Sequence, residues 1–206
     1  MRIISGSAKG RKLASVPGTG TRPITDRVKG ALFNILGGQI EDATLLDLFA
    51  GTGSVGLEAL SRGARHVVFV ERGHRAVETI RRNLATLAFQ ERAEVIHGDV
   101  FHYLKQAPPE RRFDYVYVAP PQYQGLWART LLALNEKPLL TEDGLIIVQI
   151  HPKEFRELAT SNLRLLRQRR YGSTLLCFYA LSEQAATEHV SSSQTLPEEP
   201  DGSEQR

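Results

Sequence analysis

The segment Leu45-Leu46-Asp47-Leu48-Phe49-Ala50-Gly51-Thr52-Gly53-Ser54-Val55-Gly56 carries the strongest chemical signal in the chain. A hydrophobic strand running into a glycine-rich turn that opens a helix lets the backbone come within contact distance of a nucleotide-like ligand. Gly51-x-Gly53-x-x-Gly56 also matches the dinucleotide fingerprint, with Glu71 placed 20 residues after Gly51 at the end of the next strand. Spacing therefore leaves a nicotinamide dinucleotide and S-adenosyl-L-methionine both open. Asp47 favours the second. It sits inside the strand, where a pyrophosphate binder has little use for a carboxylate, whereas a sulfonium and an α-ammonium do have one. The competing reading is a buried Asp that caps a tight strand–helix turn. Glu71 can accept both ribose hydroxyls, the alternative being an ion pair with Arg72 or Arg75. Asp99, in His97-Gly98-Asp99, is placed to take the adenine amino group, although short Gly-Asp turns are common. Asp47, Phe49, Gly51, Gly53, Glu71 and Asp99 form the expected cofactor-binding set.

Three carboxylates in that order must be carried by successive strand ends. Apolar runs at 44–49, 66–71, 93–97, 113–118, 144–150, 163–169 and 174–180 read as strands, and helical patterns fill 54–62, 73–87 and 124–134. A further helix is expected after Thr25 or Asp26, with Val28, Leu32, Ile35 and Leu36 as its apolar stripe and Gly37-Gly38 as its stop. Alternating strands and helices mean a parallel sheet covered on both faces. The short Tyr171-Gly172-Ser173 link leaves no room for a crossover helix, so the last two strands must form an antiparallel hairpin. The expected fold is α/β: a seven-stranded, Rossmann-like sheet of the class I S-adenosylmethionine-dependent methyltransferase type with a C-terminal antiparallel hairpin. A nicotinamide-binding domain more often has six parallel strands.

Composition narrows the setting. A chain of 206 residues with 41% hydrophobic residues supports one domain. It has no run of the roughly 18 apolar residues that a membrane helix needs and no apolar signal core after Met1, so a soluble cytoplasmic protein is expected. A single cysteine, Cys177, excludes an internal disulfide and a cysteine-based zinc site, and its apolar run marks it as a buried core thiol rather than a nucleophile; no metal is expected. Residues 183–206 carry a net charge of −5 and almost no large apolar side chains, and we read them as a disordered acidic tail. The total of +3 therefore leaves +8 on residues 1–182, which points to a polyanionic partner. The organisation expected is a basic N-terminal arm over 1–24, a catalytic domain over 25–182 and the tail.

Several segments together resemble the RsmD-type 16S ribosomal RNA guanine-N2 methyltransferases. They are Arg2-Ile3-Ile4-Ser5-Gly6 with Gly10-Arg11-Lys12-Leu13, Arg22-Pro23-Ile24-Thr25-Asp26-Arg27-Val28 with Leu32-Phe33-Asn34, the Leu46–Gly56 motif, Leu57-Glu58-Ala59-Leu60-Ser61-Arg62-Gly63-Ala64, and Tyr171-Gly172-Ser173-Thr174. The glycine-rich motif alone would indicate only a methyltransferase; the Arg-Pro-x-Thr-Asp-Arg-Val segment before it is more specific. The resemblance spans residues 1 to about 181 and implies a guanine amine of small-subunit rRNA as acceptor.

It also exposes one departure. The family pattern after the fourth strand is Asp-Pro-Pro-Phe/Tyr, whereas this chain reads Ala119-Pro120-Pro121-Gln122-Tyr123. The resemblance implies that the side-chain oxygen and the next backbone carbonyl hold the target amine, while the aromatic stacks on an extruded base. Ala119 offers no side-chain acceptor. The Pro120 carbonyl remains, presented by a rigid Pro-Pro turn, and Tyr123, one position late, can supply the stacking face. Ala119, Pro120, Pro121 and Tyr123 are thus the candidate catalytic residues, with Gln149 and His151 as alternative polar groups. Lys9, Arg11, Lys12, Arg22 and Arg27, with Lys29 beside them, are candidate phosphate contacts, against the alternative of a solvated basic face. The competing functions are a catalytically silent rRNA-binding assembly protein, a methyltransferase with another acceptor, and an NAD-dependent oxidoreductase.

Overall fold

Runs such as Val67-Val68-Phe69-Val70, fully buried along their length, can exist only in a sheet packed on both faces. In the computed structural model, which describes residues 1–16 and 24–183, that sheet has seven strands. In chain order the elements are α1 (Asp26–Leu36), β1 (Thr44–Leu48), α2 (Ser54–Ser61), β2 (His66–Glu71), α3 (His74–Leu87), β3 (Ala93–His97), α4 (Val100–Gln106), β4 (Phe113–Val118), α5 (Leu126–Glu136), β5 (Leu140–Ile150), β6 (Leu163–Tyr171) and β7 (Thr174–Leu181). The spatial order is β3-β2-β1-β4-β5-β7-β6. β1 to β5 pair in parallel, and β7 enters antiparallel between β5 and β6. This is the expected Rossmann-like arrangement with its C-terminal hairpin. The chain order reverses between β1 and β4, the switch point at which open α/β sheets bind ligands.

Two apolar layers flank the sheet. One buries α1, α2 and α3, with Val28, Leu32, Phe33, Leu57, Leu60, Ile80 and Leu84, against Tyr117, Ile147, Leu176 and Phe178. The other buries α4 and α5, with Leu104, Trp127, Leu131 and Leu134, against Val68, Val116, Val148 and Cys177. Thr25 caps α1, its Oγ1 accepting from the Val28 amide at 3.3 Å, and Gly37 ends that helix at φ +60°.

Two elements differ from the sequence-based expectation. α4 was not anticipated, because seven residues are too few to show a period. β5 starts at Leu140 rather than 144, because Leu140 pairs with Phe113 ahead of an irregularity that absorbs the turn-like Thr141-Glu142-Asp143-Gly144.

The N-terminal segment is docked on the domain. Ile3 is fully buried, Ala8 and Leu13 nearly so, and the segment doubles back through an Arg2–Lys12 bridge. Gly6 makes the docking possible. At φ +83° it lies so close to the end of α2 that a Cβ would fall 1.8 Å from the Ser61 carbonyl oxygen. Lys9, Arg11 and Lys12 are exposed on this docked segment. Arg22 and the acidic tail from 184 onward lie outside the described residues.

Candidate cofactor and acceptor sites

The turn after β1 is built from three left-handed residues in alternation: Phe49, Gly51 and Gly53, at φ +60°, +57° and +72°. Phe49 tolerates that strain because its ring is packed, edge on, against Phe101 of α4 at 6.3 Å. Gly56 lets α2 sit directly on β2, since a Cβ there would meet the Phe69 ring at 2.3 Å.

Glu71 at the end of β2 reaches back to this turn. One carboxylate oxygen accepts from the Gly51 amide at 2.9 Å and the other from the Gly73 amide at 2.7 Å. The group is half-buried. No ion pair between described residues joins it to Arg72 or Arg75. Asp99 follows β3 as the N-cap of α4, its Oδ1 accepting from Phe101 and His102. Glu71, Asp99 and the glycine turn therefore meet at the carboxyl ends of three adjacent strands.

Asp47 stands behind the turn rather than in it. Its side chain is buried, 2% exposed, and Oδ2 accepts from the Gly56 amide at 3.1 Å. That amide belongs to the first turn of α2, whose N-cap is a glycine with no side chain to offer. Asp47 caps the helix from the neighbouring strand, the alternative that the sequence had left open, and orders the turn that carries Gly51 and Gly53. Burial pushes its pKa up to about 8, with the Glu71 charge adding and the Gly56 bond opposing. The folded state thus holds a proton that the unfolded chain has lost, and the resulting stability fades as pH rises from about 4 to about 8. Urea titrations should give a midpoint that falls between pH 5 and pH 8, and Asp47→Asn should flatten this dependence. An equal fall in the variant would assign the dependence elsewhere.

Asn83 ties the docked segment to the same turn. It is 2% exposed, its amide donates to the Ala14 and Thr52 carbonyls, and its Oδ1 accepts from the Ala14 amide at 2.8 Å.

A cleft opens between the start of α1, the end of β5 and the β6–β7 turn. This cleft of about 400 Å³ is lined by Ile24, Thr25, Arg27 and Val28 at the start of α1, by Gln122, by Gln149 near the end of β5 and His151 just after it, and by the Tyr171–Thr174 hairpin turn. Ala119 lies half-buried at the end of β4, its amide 3.4 Å from the Leu48 carbonyl, with Pro120 buried beside it. Tyr123 is 65% exposed at φ +59°; its amide donates to Glu154 at 2.7 Å, and its ring faces His151 at 5.6 Å. The Gln149 side-chain Oε1 accepts from the buried Tyr117 hydroxyl at 2.6 Å, which orients the Gln149 amide and keeps its NH2 on the other side.

Of the sequence-derived residues, the structure brings Phe49, Gly51, Gly53, Glu71 and Asp99 to one edge, with Asp47 beneath them. Arg27 joins the cleft; Lys9 and Lys12 lie on the docked segment, as does Arg11, which donates to the Thr86 carbonyl of α3 at 2.9 Å. The hairpin turn as a cleft wall was missed. Its one sequence signal is the Tyr171-Gly172-Ser173-Thr174 segment, which carries part of the family resemblance and reads as a hairpin connection but gives no hint of a site wall.

A family model described as "Conserved hypothetical protein 95" matches residues 1–180. The "Putative rRNA methyltransferase YlbH" of Bacillus subtilis is 40% identical over 181 residues, covering 87% of this chain and 98% of that protein. The "Ribosomal RNA small subunit methyltransferase D" of Haemophilus influenzae is 38% identical over 173 residues, covering 84% and 89%. Among solved structures, the "Putative methyltransferase yhhF from Escherichia coli" superposes with a TM-score of 0.78 at 35% identity, covering 88% of this chain and 98% of that one.

Proposed function

The chain belongs to the "Conserved hypothetical protein 95" family, the RsmD-type methyltransferases, and from that premise we propose that it uses S-adenosylmethionine to methylate the N2 amine of a guanine in small-subunit rRNA. The observation that carries the cofactor assignment is Glu71, a half-buried carboxylate clamped by two loop amides beside a left-handed glycine turn. Each of its oxygens keeps a lone pair for a ribose hydroxyl, and Asp99 at the next strand end suits an exocyclic amine.

In this reading the cofactor supplies an electrophilic methyl group on a sulfonium. The protein's own work is positioning, because the sulfonium is already an activated leaving group and catalysis is mostly in-line alignment of nucleophile and methyl. Glu71 and the turn hold the nucleoside end. The Pro120 carbonyl, fixed by the Pro-Pro turn, accepts an amine hydrogen and favours a pyramidal nitrogen whose lone pair is otherwise delocalised into the ring. Tyr123, backed by His151, offers an exposed face for the extruded base. Ala119 removes one of two acceptors, a change worth roughly 10- to 1,000-fold in rate at a reacting centre.

Ala119 also favours a second reading, a silent rRNA-binding assembly protein that keeps the fold. Single-turnover transfer to small-subunit rRNA or particles separates the two. The expected results are transfer by the unaltered protein, a cost of about 1–3 kcal/mol in base stacking for Tyr123→Ala, and equal or faster transfer for Ala119→Asp. No transfer until Ala119→Asp is introduced supports the silent scaffold. If neither protein methylates rRNA while both bind cofactor, the acceptor class is wrong.

A further inference from the structure

The strand β6 reads Leu163-Arg164-Leu165-Leu166-Arg167-Gln168-Arg169-Arg170-Tyr171 and forms one edge of the sheet. In a regular strand Arg164 and Arg167 would point to opposite faces, because side chains alternate. The register prevents this. Arg164 pairs with Ala180 and Leu165 with Tyr179, then an irregularity absorbs Leu166, and Arg167 pairs with Phe178 and Arg169 with Leu176. Directly paired residues share a face. Arg164, Arg167, Arg169 and Tyr171 therefore stand in one row beside Ala180, Phe178, Leu176 and Thr174, on the face that carries α1 and the docked N-terminal segment. Arg170 points to the other face and folds back onto the Gly172 carbonyl.

The row leads into the cleft. Its last member, Tyr171, lines the cleft with the hairpin turn, and Arg27 lies among the other lining residues. The three arginines are exposed. Arg167 stacks its guanidinium on the Phe178 ring at 4.9 Å, a contact that uses the face of the group and not its in-plane N–H fork. No ion pair between described residues involves Arg167, Arg169 or Arg170. Protection of a sheet edge requires only charge somewhere along it. It does not require a bulge that brings Arg164 into line with Arg167 and Arg169 on the face that carries this cleft.

Resting on the rRNA reading above, we propose that Arg164, Arg167 and Arg169 form a phosphate track that holds the RNA strand flanking the target nucleotide and feeds it past Tyr171 into the cleft. Spaced two residues apart along an extended strand, Arg167 and Arg169 sit about 6.6–6.8 Å from one another, able to take separate phosphates. Arginine suits this use because its planar fork binds phosphate in a bidentate manner.

The test is the salt dependence of binding to deproteinised 16S rRNA, measured for the unaltered protein, for R167Q/R169Q and for R170Q. Glutamine keeps a polar side chain on the strand and removes the charge. Two lost phosphate contacts should lower the slope of log K against log salt by about 1.4–1.8. Across a fourfold rise in salt, the double variant should then lose roughly 7- to 12-fold less affinity than the unaltered protein. R170Q, on the other face, should keep the original slope, and S-adenosylhomocysteine affinity should not change in any variant. An unchanged slope in R167Q/R169Q overturns the track, as does an equal drop in R170Q. A drop seen on intact small subunits but absent on naked rRNA also overturns it, assigning the strand to an acidic protein surface. If the slopes behave as expected while the unaltered protein methylates no rRNA, the track stands and the catalytic reading falls.

Discussion

Glu71→Ala should weaken S-adenosylhomocysteine binding by about two to four orders of magnitude. Two hydrogen bonds from ribose hydroxyls to a charged acceptor are lost, at about 1.5–3 kcal/mol each. The geometry adds a reason for choosing glutamine as the companion variant. Both carboxylate oxygens already accept a backbone amide, from Gly51 and from Gly73. An amide side chain has only one acceptor and would press its NH2 against one of those N–H groups, so Glu71→Gln should lose nearly as much as alanine. Calorimetry on both variants, with a thermal melt to show that they remain folded, checks the expectation. Affinity within twofold of the unaltered protein would remove Glu71 from the site.

How far that site could be read in advance follows from what each residue depends on. The strand run Val67–Val70 and the glycine turn were legible because burial on both faces leaves a local apolar signature and a tight turn demands glycine. Glu71 and Asp99 were legible because both sit at strand ends, a position that strand pattern alone supplies. Asp47 was only half legible. Its place in β1 was evident, but its Gly56 partner depends on how α2 leaves the turn, and its burial depends on Tyr117 across the β1–β4 pair. The arginine row was illegible for a sharper reason. Counting by twos from Arg164 lands on Leu166 and Gln168, and only the register shift opposite Tyr179 and Phe178 brings Arg167 into line. The cleft was illegible because Arg27 and Tyr171 meet only after the whole sheet has closed between them.

The largest effect on stability is expected at Lys29 of α1 and Glu58 of α2; Lys29, grouped by sequence with the candidate phosphate contacts, is instead fully buried and unable to reach a phosphate. Both side chains are fully buried, 3.4 Å apart. Glu58 accepts from the Ile4 and Ser5 amides and from Arg62, and Lys29 donates to the Arg2 carbonyl and to Ser54 Oγ. Burial pulls the Lys29 ammonium below its ordinary pKa while Glu58 pulls it back. Glu58→Leu strands that ammonium without a counter-charge and removes the anchor of the N-terminal segment, at a cost of about 3–5 kcal/mol. For a domain whose whole stability is about 5–15 kcal/mol, this is a large share. Urea denaturation should show the loss, and trypsin should cut at Lys9, Arg11 or Lys12 faster than in the unaltered protein. The double variant Lys29→Met with Glu58→Leu should recover part of the stability, since a buried pair can be replaced by apolar groups at little net cost. It should not restore protection from trypsin, because the Ile4 and Ser5 amides still lack their acceptor. A loss below about 1 kcal/mol, with an unchanged cleavage pattern, would refute the pair as the anchor. Ser54, which Lys29 holds, is the first residue of α2 and directly follows Gly53. The same pair therefore fixes the helix end that carries the glycine turn proposed to hold the cofactor, and on that proposal Glu58→Leu should also lower S-adenosylhomocysteine affinity although neither residue belongs to the proposed site.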